Sequence, residues 1–188
     1  MTIRKRKPSL LKPGPRAKRK RIPVAKIMSI YQRRLRLHNA MPVKNVSVSQ
    51  RNIRIGTGED WTNAIEVTRN PAWVEVNNAD YVWSDRNPTG DFAVVSRRFR
   101  IPRGDIERGS LFLSVDNYAV VLINGRIVVY DNPEANAAFF NPGRTFNVRR
   151  LLRNGRNDIV IIAFNLGGAR SDANPAGVAA RLDIRVDD

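Results

Sequence analysis

The sequence predicts an all-β protein, an antiparallel β-sandwich preceded by an extended basic arm and one short amphipathic helix. Apolar and polar residues alternate from Val43 onward, turn residues recur about every ten residues, and no acidic residue occurs before Glu59. Alternation with period two indicates strands with one buried face, and regular turns between short strands are typical of sandwiches. We therefore divide the chain into an arm, 1–42, and a β domain, 43–188.

The positive charge is concentrated in the arm. The first 38 residues contain fourteen lysines and arginines, whereas from Glu59 onward sixteen basic residues face seventeen acidic ones. The β domain is thus near neutral, although the chain has a formal net charge of +16. A block of one charge repels itself and buries little, so it needs an anion or an acidic partner. The residues expected to bind nucleic acid or an acidic partner are Arg4, Lys5, Arg6, Lys7, Lys12, Arg16, Lys18, Arg19, Lys20 and Arg21.

Prolines divide the arm into an extended segment and a helix. The prolines from Pro8 to Pro15 favour extended backbone over residues 1–22, because proline fixes φ and restricts the residue before it. Pro23 is suited to the first turn of a helix. The apolar residues after it recur at the spacing of one helical face and predict an amphipathic helix over about 24–37, with a basic opposite face. The apolar stripe consists of Val24, Ile27, Met28, Tyr31 and Leu35.

This stripe has three interpretations: the helix packs on its own β domain, docks on another chain, or lies on a membrane surface. The two inner faces of a sandwich already supply a core, so we expect the stripe to be a partner-docking surface. Because the alternation starts only at about Val43, we also expect the sandwich to fold without residues 1–40.

The β domain contains a series of short strands separated by turns. Asn124-Gly125, between two β-branched runs, is the clearest turn and predicts a type I′ hairpin. A second turn is expected at 153–157, before a buried strand. We predict an eight-stranded sandwich from this series. After VKNVSVSQRNIRIG, the runs with a strand-like pattern read AIEVT, AWVEV, DYVW, FAVVSRRFRI, SLFLSVD, YAVVLINGRIVVY, RTFNV, DIVIIAFN and GVAARLDIRV.

Three motifs of the β domain are LFLSVDNYAVVLINGRIV at 111–128, FNVRRLLRNGRNDIVIIAFN at 146–165 and NPAGVAARLDI at 174–184. They resemble galactose-binding-like jelly-roll domains, which recur as carbohydrate-binding modules and as accessory domains of large glycosidases. The resemblance covers about 56–187 and none of residues 1–45. It implies a jelly roll, and it predicts the fold better than it predicts an activity.

The resemblance also raises the question of a sugar site. Sugar sites in this fold usually lie in loops at one end of the sandwich, where an aromatic ring sits beside Arg, Asn or Asp. Trp73 and Trp83 match packing positions of the pattern, and Asp116 and Asn117 match a strand start at which side chains cap backbone groups. The candidates that remain for a sugar site are Trp61, Tyr81 and Tyr130.

The sequence offers no catalytic or metal-binding constellation. The chain has no cysteine and one histidine, His38, so a zinc site would need carboxylates alone, which is a poor match. Glu59 and Asp60 are adjacent, and neighbours on a strand point to opposite faces, which argues against a catalytic pair. We therefore expect no enzyme, no cofactor and no bound metal.

An extended basic arm, an amphipathic helix and a sandwich together have the layout of a viral structural protein. The leading hypothesis is a non-enzymatic minor capsid or cement-type subunit, located in the virion, with other capsid subunits as partners and nucleic acid as a further partner of the arm. The alternatives are a lectin-like carbohydrate-binding module and a cellular nucleic-acid-binding protein. No apolar run approaches the length of a membrane span, and no secretory signal is recognisable, so the alternative location is intracellular.

Overall fold

The computed structural model describes residues 21–40, 52–133 and 139–187, without the side chains of 139–141. These residues form one α-helix, one 3₁₀ turn and ten strands in two antiparallel sheets, which confirms the predicted all-β sandwich with one short helix. The helix α1 spans Val24–Asn39, and η1 is the 3₁₀ turn Arg149–Leu151. The strands are β1 (Asn52–Gly56), β2 (Ile65–Glu66), β3 (Val82–Trp83), β4 (Phe92–Ile101), β5 (Asp105–Asp116), β6 (Tyr118–Ile123), β7 (Arg126–Tyr130), β8 (Phe139–Asn147), β9 (Gly155–Phe164) and β10 (Gly177–Asp187).

The two sheets pack face to face around one apolar core. The six-stranded sheet has the order β2-β3-β10-β5-β8, with β1 paired to β10, and the four-stranded sheet has the order β4-β9-β6-β7. Alternate residues of the long strands point inward, as period-two strands require. The fully buried side chains between the sheets include Trp83, Phe99, Leu111, Leu113, Ile159 and Ile161.

The turn chemistry predicted from the sequence is present at both positions. Asn124 and Gly125 have φ values of 50° and 78°, and positive φ at both central residues is the requirement of a type I′ hairpin. A side chain at Gly125 would also lie 3.2 Å from the ring of Tyr31. Gly155 has a φ of 83° at the second turn.

The segment AWVEV is not a strand, and ten strands replace the eight predicted. The backbone turns at Pro71, where Asn70 Oδ1 accepts a hydrogen bond from Ala72 N at 2.9 Å. The Trp73 ring then packs against Tyr81, with 4.8 Å between centroids. The apolar residues of this segment therefore cover the outer face of the six-stranded sheet as a loop, and their alternation does not mark a strand.

The outer face of the four-stranded sheet is apolar as well, and α1 covers it. β6 and the last six residues of β9 are apolar at consecutive positions, YAVVLI and IVIIAF, so each strand presents apolar residues to both faces. Ile27 and Tyr31 are buried on this face, Met28 and Leu35 pack at its margin, and Val24 is 49% exposed. The sheet residues beneath the helix are Val94, Tyr118, Val120, Leu122, Val160, Ile162 and Phe164.

The preference for docking on a neighbouring chain is therefore wrong for Ile27 and Tyr31. That preference counted only the two inner faces of the sandwich, whereas the outer face of the four-stranded sheet is apolar as well. The alternative in which the helix packs on its own β domain describes the structure. Burying one such side chain contributes about 1.5–3 kcal/mol, so the helix belongs to the folded body and residues 1–40 are not expected to be dispensable for folding.

Replacing Ile27 by Ala should destabilise the full chain by about 2–5 kcal/mol, because the side chain is fully buried and its removal leaves a cavity. Ser29→Ala, on the exposed face of the same helix, should change the stability by less than about 0.5 kcal/mol. Urea unfolding followed by circular dichroism measures both. Equal stabilities of the two variants would show that α1 is not part of the cooperative unit.

Candidate nucleic-acid interface

The last basic residue of the extended segment 1–22, Arg21, is fixed to the sandwich. The guanidinium of Arg21 lies 3.5 Å from the centroid of the Tyr130 ring and donates a hydrogen bond to the Tyr130 carbonyl at 2.6 Å. The Tyr130 hydroxyl in turn donates to the Ile22 carbonyl. Tyr130 ends β7, the edge strand of the four-stranded sheet. The arm therefore joins the body at one defined point, while Arg4 to Lys20 lie outside the described residues.

From this point α1 crosses the sheet to the opposite edge. Tyr31 donates its hydroxyl hydrogen to Asp158 Oδ1 of β9 at 2.7 Å, and Arg34 donates to the Val94 carbonyl of β4 at 2.7 Å. Burial and the contact with Asp158 raise the pKa of Tyr31. Burial also raises the pKa of Asp158. The helix is thus held by polar contacts as well as by its stripe, and its solvent face carries Lys26, Arg33 and Arg36, as predicted.

His38, the one histidine of the chain, is a buried anchor at the end of α1. Its Nε2 lies 2.9 Å from Ser96 Oγ, and Arg98 Nη1 donates to the His38 carbonyl at 2.7 Å. Ser96 is 0% exposed, and His38 Nδ1 has no hydrogen-bond partner among the described residues. A solvent-accessible nucleophile and an orienting carboxylate are both missing from this pair. Burial, together with the charges of Arg98 and Arg34, lowers the pKa of His38 to about 4.

The β4–β5 and β8–β9 connections meet at the end of the sandwich towards which β4 runs. Asn154 Nδ2 donates to the Gly104 carbonyl at 2.9 Å, and Arg149 Nε donates to the Ile106 carbonyl. They border a shallow groove of about 800 Å³. In the four-stranded sheet, Arg100 pairs in register with Arg156. We call the exposed guanidinium groups collected here the arginine end; its members are Arg100, Arg103, Arg149, Arg150, Arg153 and Arg156.

A second basic groove, of about 560 Å³, lies on the outer face of the six-stranded sheet. Among the described residues, three of its four arginines are ion-paired. Asp183 accepts from Arg54 at 2.8 Å and from Arg181 at 2.9 Å, and these hydrogen bonds lower the pKa of Asp183 against the effect of burial. Arg185 pairs with Glu107 at 2.7 Å. Arg108 also lines this groove, so four arginines face the two carboxylates Asp183 and Glu107. The excess of positive charge is smaller than at the arginine end, so the groove is the weaker anion site.

The net charge of the β domain is near zero, but its acidic and basic residues lie in different segments. Residues 59–91 contain seven acidic residues and two basic ones, whereas the segments 97–108 and 144–156 together contain ten arginines and two carboxylates. The fold brings six of these ten arginines to one end, whereas Arg97 pairs with Asp60 and Arg144 with Asp131. The sequence interpretation missed this surface because it summed the charge of the whole domain. The signal was present in RRFRIPR and RRLLRNGR, which flank strands that the topology places side by side.

The structure does not assemble the three sugar-site candidates. Trp61 is 3% exposed and lies in the core between the sheets, with its indole nitrogen donating to the Gly56 carbonyl at 2.7 Å. Tyr81 is 4% exposed and lies in the cluster outside the six-stranded sheet. Tyr130 lies under Arg21. No two of these rings form a common platform.

The residues expected to be structural serve packing and capping. Trp83 is fully buried, and Trp73 donates its indole hydrogen to Asp116 Oδ2 at 3.0 Å. Burial raises the pKa of Asp116 to about 6, although the Trp73 hydrogen bond opposes this shift. Asn117 Oδ1 accepts from the Leu166 backbone at 2.6 Å, which is the capping role expected for this position.

The described part of the chain contains no group of three or more His, Cys, Asp or Glu arranged to hold a metal ion. Within the same residues, α1 is too short and too polar to cross a membrane, and no other helix is a candidate span.

No known protein family matches the chain, and no curated protein matches it. Among solved structures, an α-L-rhamnosidase from Aspergillus terreus aligns with a TM-score of 0.45 and 17% identity, over 58% of this chain and 14% of that one. A β-glucuronidase from an uncultured Clostridium sp. aligns with a TM-score of 0.45 and 14% identity, over 78% of this chain and 30% of that one. The GH26-CBM35 β-(1,4)-mannanase of Podospora anserina aligns with a TM-score of 0.41 and 10% identity, over 73% of this chain and 28% of that one. The chain spans less than a third of each, and likenesses at this level assign no activity or ligand.

The low pKa of His38 predicts how the stability depends on pH. Between about 6.5 and about 4, the unfolded chain binds a proton that the folded chain excludes, so His38 lowers the stability as the pH falls through this window. Burial raises the pKa of Asp116 to about 6 and also raises the pKa of Asp158, so these two carboxyls act in the opposite direction in both chains. His38→Gln should therefore lose less stability, or gain more, than the unmodified chain as the pH falls. Urea unfolding at intervals from about pH 7 to about pH 4 measures the two slopes. Equal slopes would contradict a buried neutral His38.

Proposed function

We propose that this protein is a non-enzymatic structural protein of a virion, a minor capsid or cement-type subunit whose basic arm binds packaged nucleic acid. The observation that carries the proposal is the fixed root of the arm. Nine basic residues and no acidic one precede Arg21, and Arg21 is held against Tyr130 on a rigid sheet edge. Such an arm is presented to a polyanion from a defined point of a folded body.

The buried polar side chains of the folded body make contacts within the fold, which supports a structural role. His38, Asp116 and Asp158 are buried, and each is hydrogen-bonded to a neighbouring side chain of the fold. Strongly shifted pKa values often mark active sites, but structural networks shift them as well. The shifted groups here fix the helix or a loop, and we propose no reaction for them.

The buried aromatic rings make the lectin-like alternative less favourable. A sugar platform needs an exposed aromatic face, and Trp61 and Tyr81 are both buried. Tyr130 would need to release Arg21 to offer its ring. A screen of mono- and oligosaccharides that detects saturable binding, weakened by Tyr130→Ala, would favour this alternative over a virion role.

A cellular nucleic-acid-binding protein would share the arm chemistry but would not form a shell. The two are separated by mixing the full chain with nucleic acid and examining the product by electron microscopy and analytical ultracentrifugation. Closed or repeating assemblies are expected for a virion subunit. Soluble complexes whose size follows only the nucleic-acid length would favour the cellular role.

Nucleic-acid binding by the arm should depend steeply on salt. Engagement of six to ten phosphates weakens the affinity roughly 10³–10⁵-fold between 50 and 200 mM salt. Replacing the nine basic residues that precede Arg21 by Gln in the full chain should remove most of this dependence. Fluorescence anisotropy with a labelled oligonucleotide measures the slope. A shallow slope in the unmodified chain, or an unchanged slope in the arm variant, would show that the arm does not bind phosphate.

A further inference from the structure

We infer that the arginine end is a second nucleic-acid contact, which binds the phosphodiester backbone without reading bases. The inference rests on the proposed function for the identity of the polyanion, and it assigns part of the binding to the folded body. It concerns exposed side chains of the described residues only.

The guanidinium groups of the arginine end are available to a ligand. Within the described residues, the side chains of Arg100, Arg103, Arg150 and Arg156 make no hydrogen bond or ion pair. Among the described residues, the one ion pair of this surface joins Arg149 to Asp105 at 3.9 Å, and both side chains are at least half exposed, so it contributes little. Neighbouring guanidinium groups repel each other, and an anion that lies between them removes this repulsion.

The arginine end is continuous with the basic face of α1. Arg98 lies beneath the end of the helix, donating to the carbonyl of His38 and to Asn39 Oδ1 at 2.7 and 2.9 Å. Two residues further along the same face of β4 comes Arg100, beside Arg156 in register. The helix has no acidic residue. A positively charged strip therefore runs from the arm root at Tyr130, over the solvent face of α1, to the arginine end.

Length and chemistry favour nucleic acid over an acidic protein. Guanidinium groups bind phosphate and carboxylate alike, but a strip that spans the sheet and carries many more guanidinium groups than carboxylates matches a regularly charged polymer. Asp105 is an exposed carboxylate at its end. Exposed aromatic platforms on which bases stack are absent from the described residues of this strip. Without stacking or groove readout, binding relies on phosphate charge and is insensitive to sequence.

The test compares two double variants of the full chain with the same loss of charge. Arg150→Gln/Arg156→Gln removes two unpartnered members of the arginine end. Arg69→Gln/Arg86→Gln removes two exposed arginines from the acidic segment 59–91 and is the matched control. Thermal melting first establishes that both variants are folded. Binding is then measured by anisotropy with labelled single-stranded and duplex DNA between 50 and 200 mM salt.

The arginine-end variant should lower the slope of log affinity against log salt by about 1.4–1.8, which is the contribution of two phosphate contacts. The control should leave the slope unchanged, and dA and dT oligonucleotides should bind the unmodified chain with affinities within about threefold of each other. Equal changes in both variants, or no change in either, would overturn the inference.

A second set of variants tests the arginine end without the basic residues of the arm. In the chain whose nine arm residues before Arg21 are replaced by Gln, residual DNA binding should persist and should be lost in the arginine-end variant. Residual binding that the arginine-end variant leaves intact would overturn the inference without touching the role of the arm. Binding of poly-glutamate but not of DNA in this background would overturn it in favour of an acidic protein partner.

Discussion

The architecture depends on the apolar outer face of the four-stranded sheet. β6 and β9 present apolar residues to both faces, so a two-layer sandwich would leave one of these faces in water. α1 is the layer that covers it, and two of its side chains, Ile27 and Tyr31, are almost completely buried there. The molecule is consequently built of three layers, a helix, a sheet of four strands and a sheet of six.

Polar contacts decide where on this face the helix lies. An apolar stripe on an apolar sheet is non-directional, whereas the Tyr31–Asp158 and His38–Ser96 contacts have fixed partners on β9 and β4. Loss of either partner would leave a buried polar group unsatisfied, which costs about 1–3 kcal/mol. These contacts orient the basic face outward and place the arm root at Tyr130. The surface charge pattern therefore follows from contacts in the interior.

Much of the fold was predictable because local chemistry determined it. The amphipathic period placed the helix to within two residues, and Asn124-Gly125 specified its turn through positive φ at both positions. The surface that the apolar stripe contacts could not be predicted, because strands with two apolar faces indicate only that something covers the second face. AWVEV was wrongly predicted to be a strand, because its alternating apolar residues belong to a loop that packs on Tyr81. The arginine end could not be assigned from the sequence, since its members come from segments that only the strand pairing brings together.

The long sequence separation of the helix contacts has a consequence for synthesis. Tyr31 and Asp158 are 127 positions apart, so at about 5–20 residues per second the helix sequence precedes its partner by roughly 6–25 s. An isolated helix of 16 residues is marginal in water, so α1 is synthesised before its partner strand and becomes ordered only after it. A polyanion held by Lys26, Arg33 and Arg36 does not obstruct later docking, because those residues lie opposite the stripe that closes on the sheet.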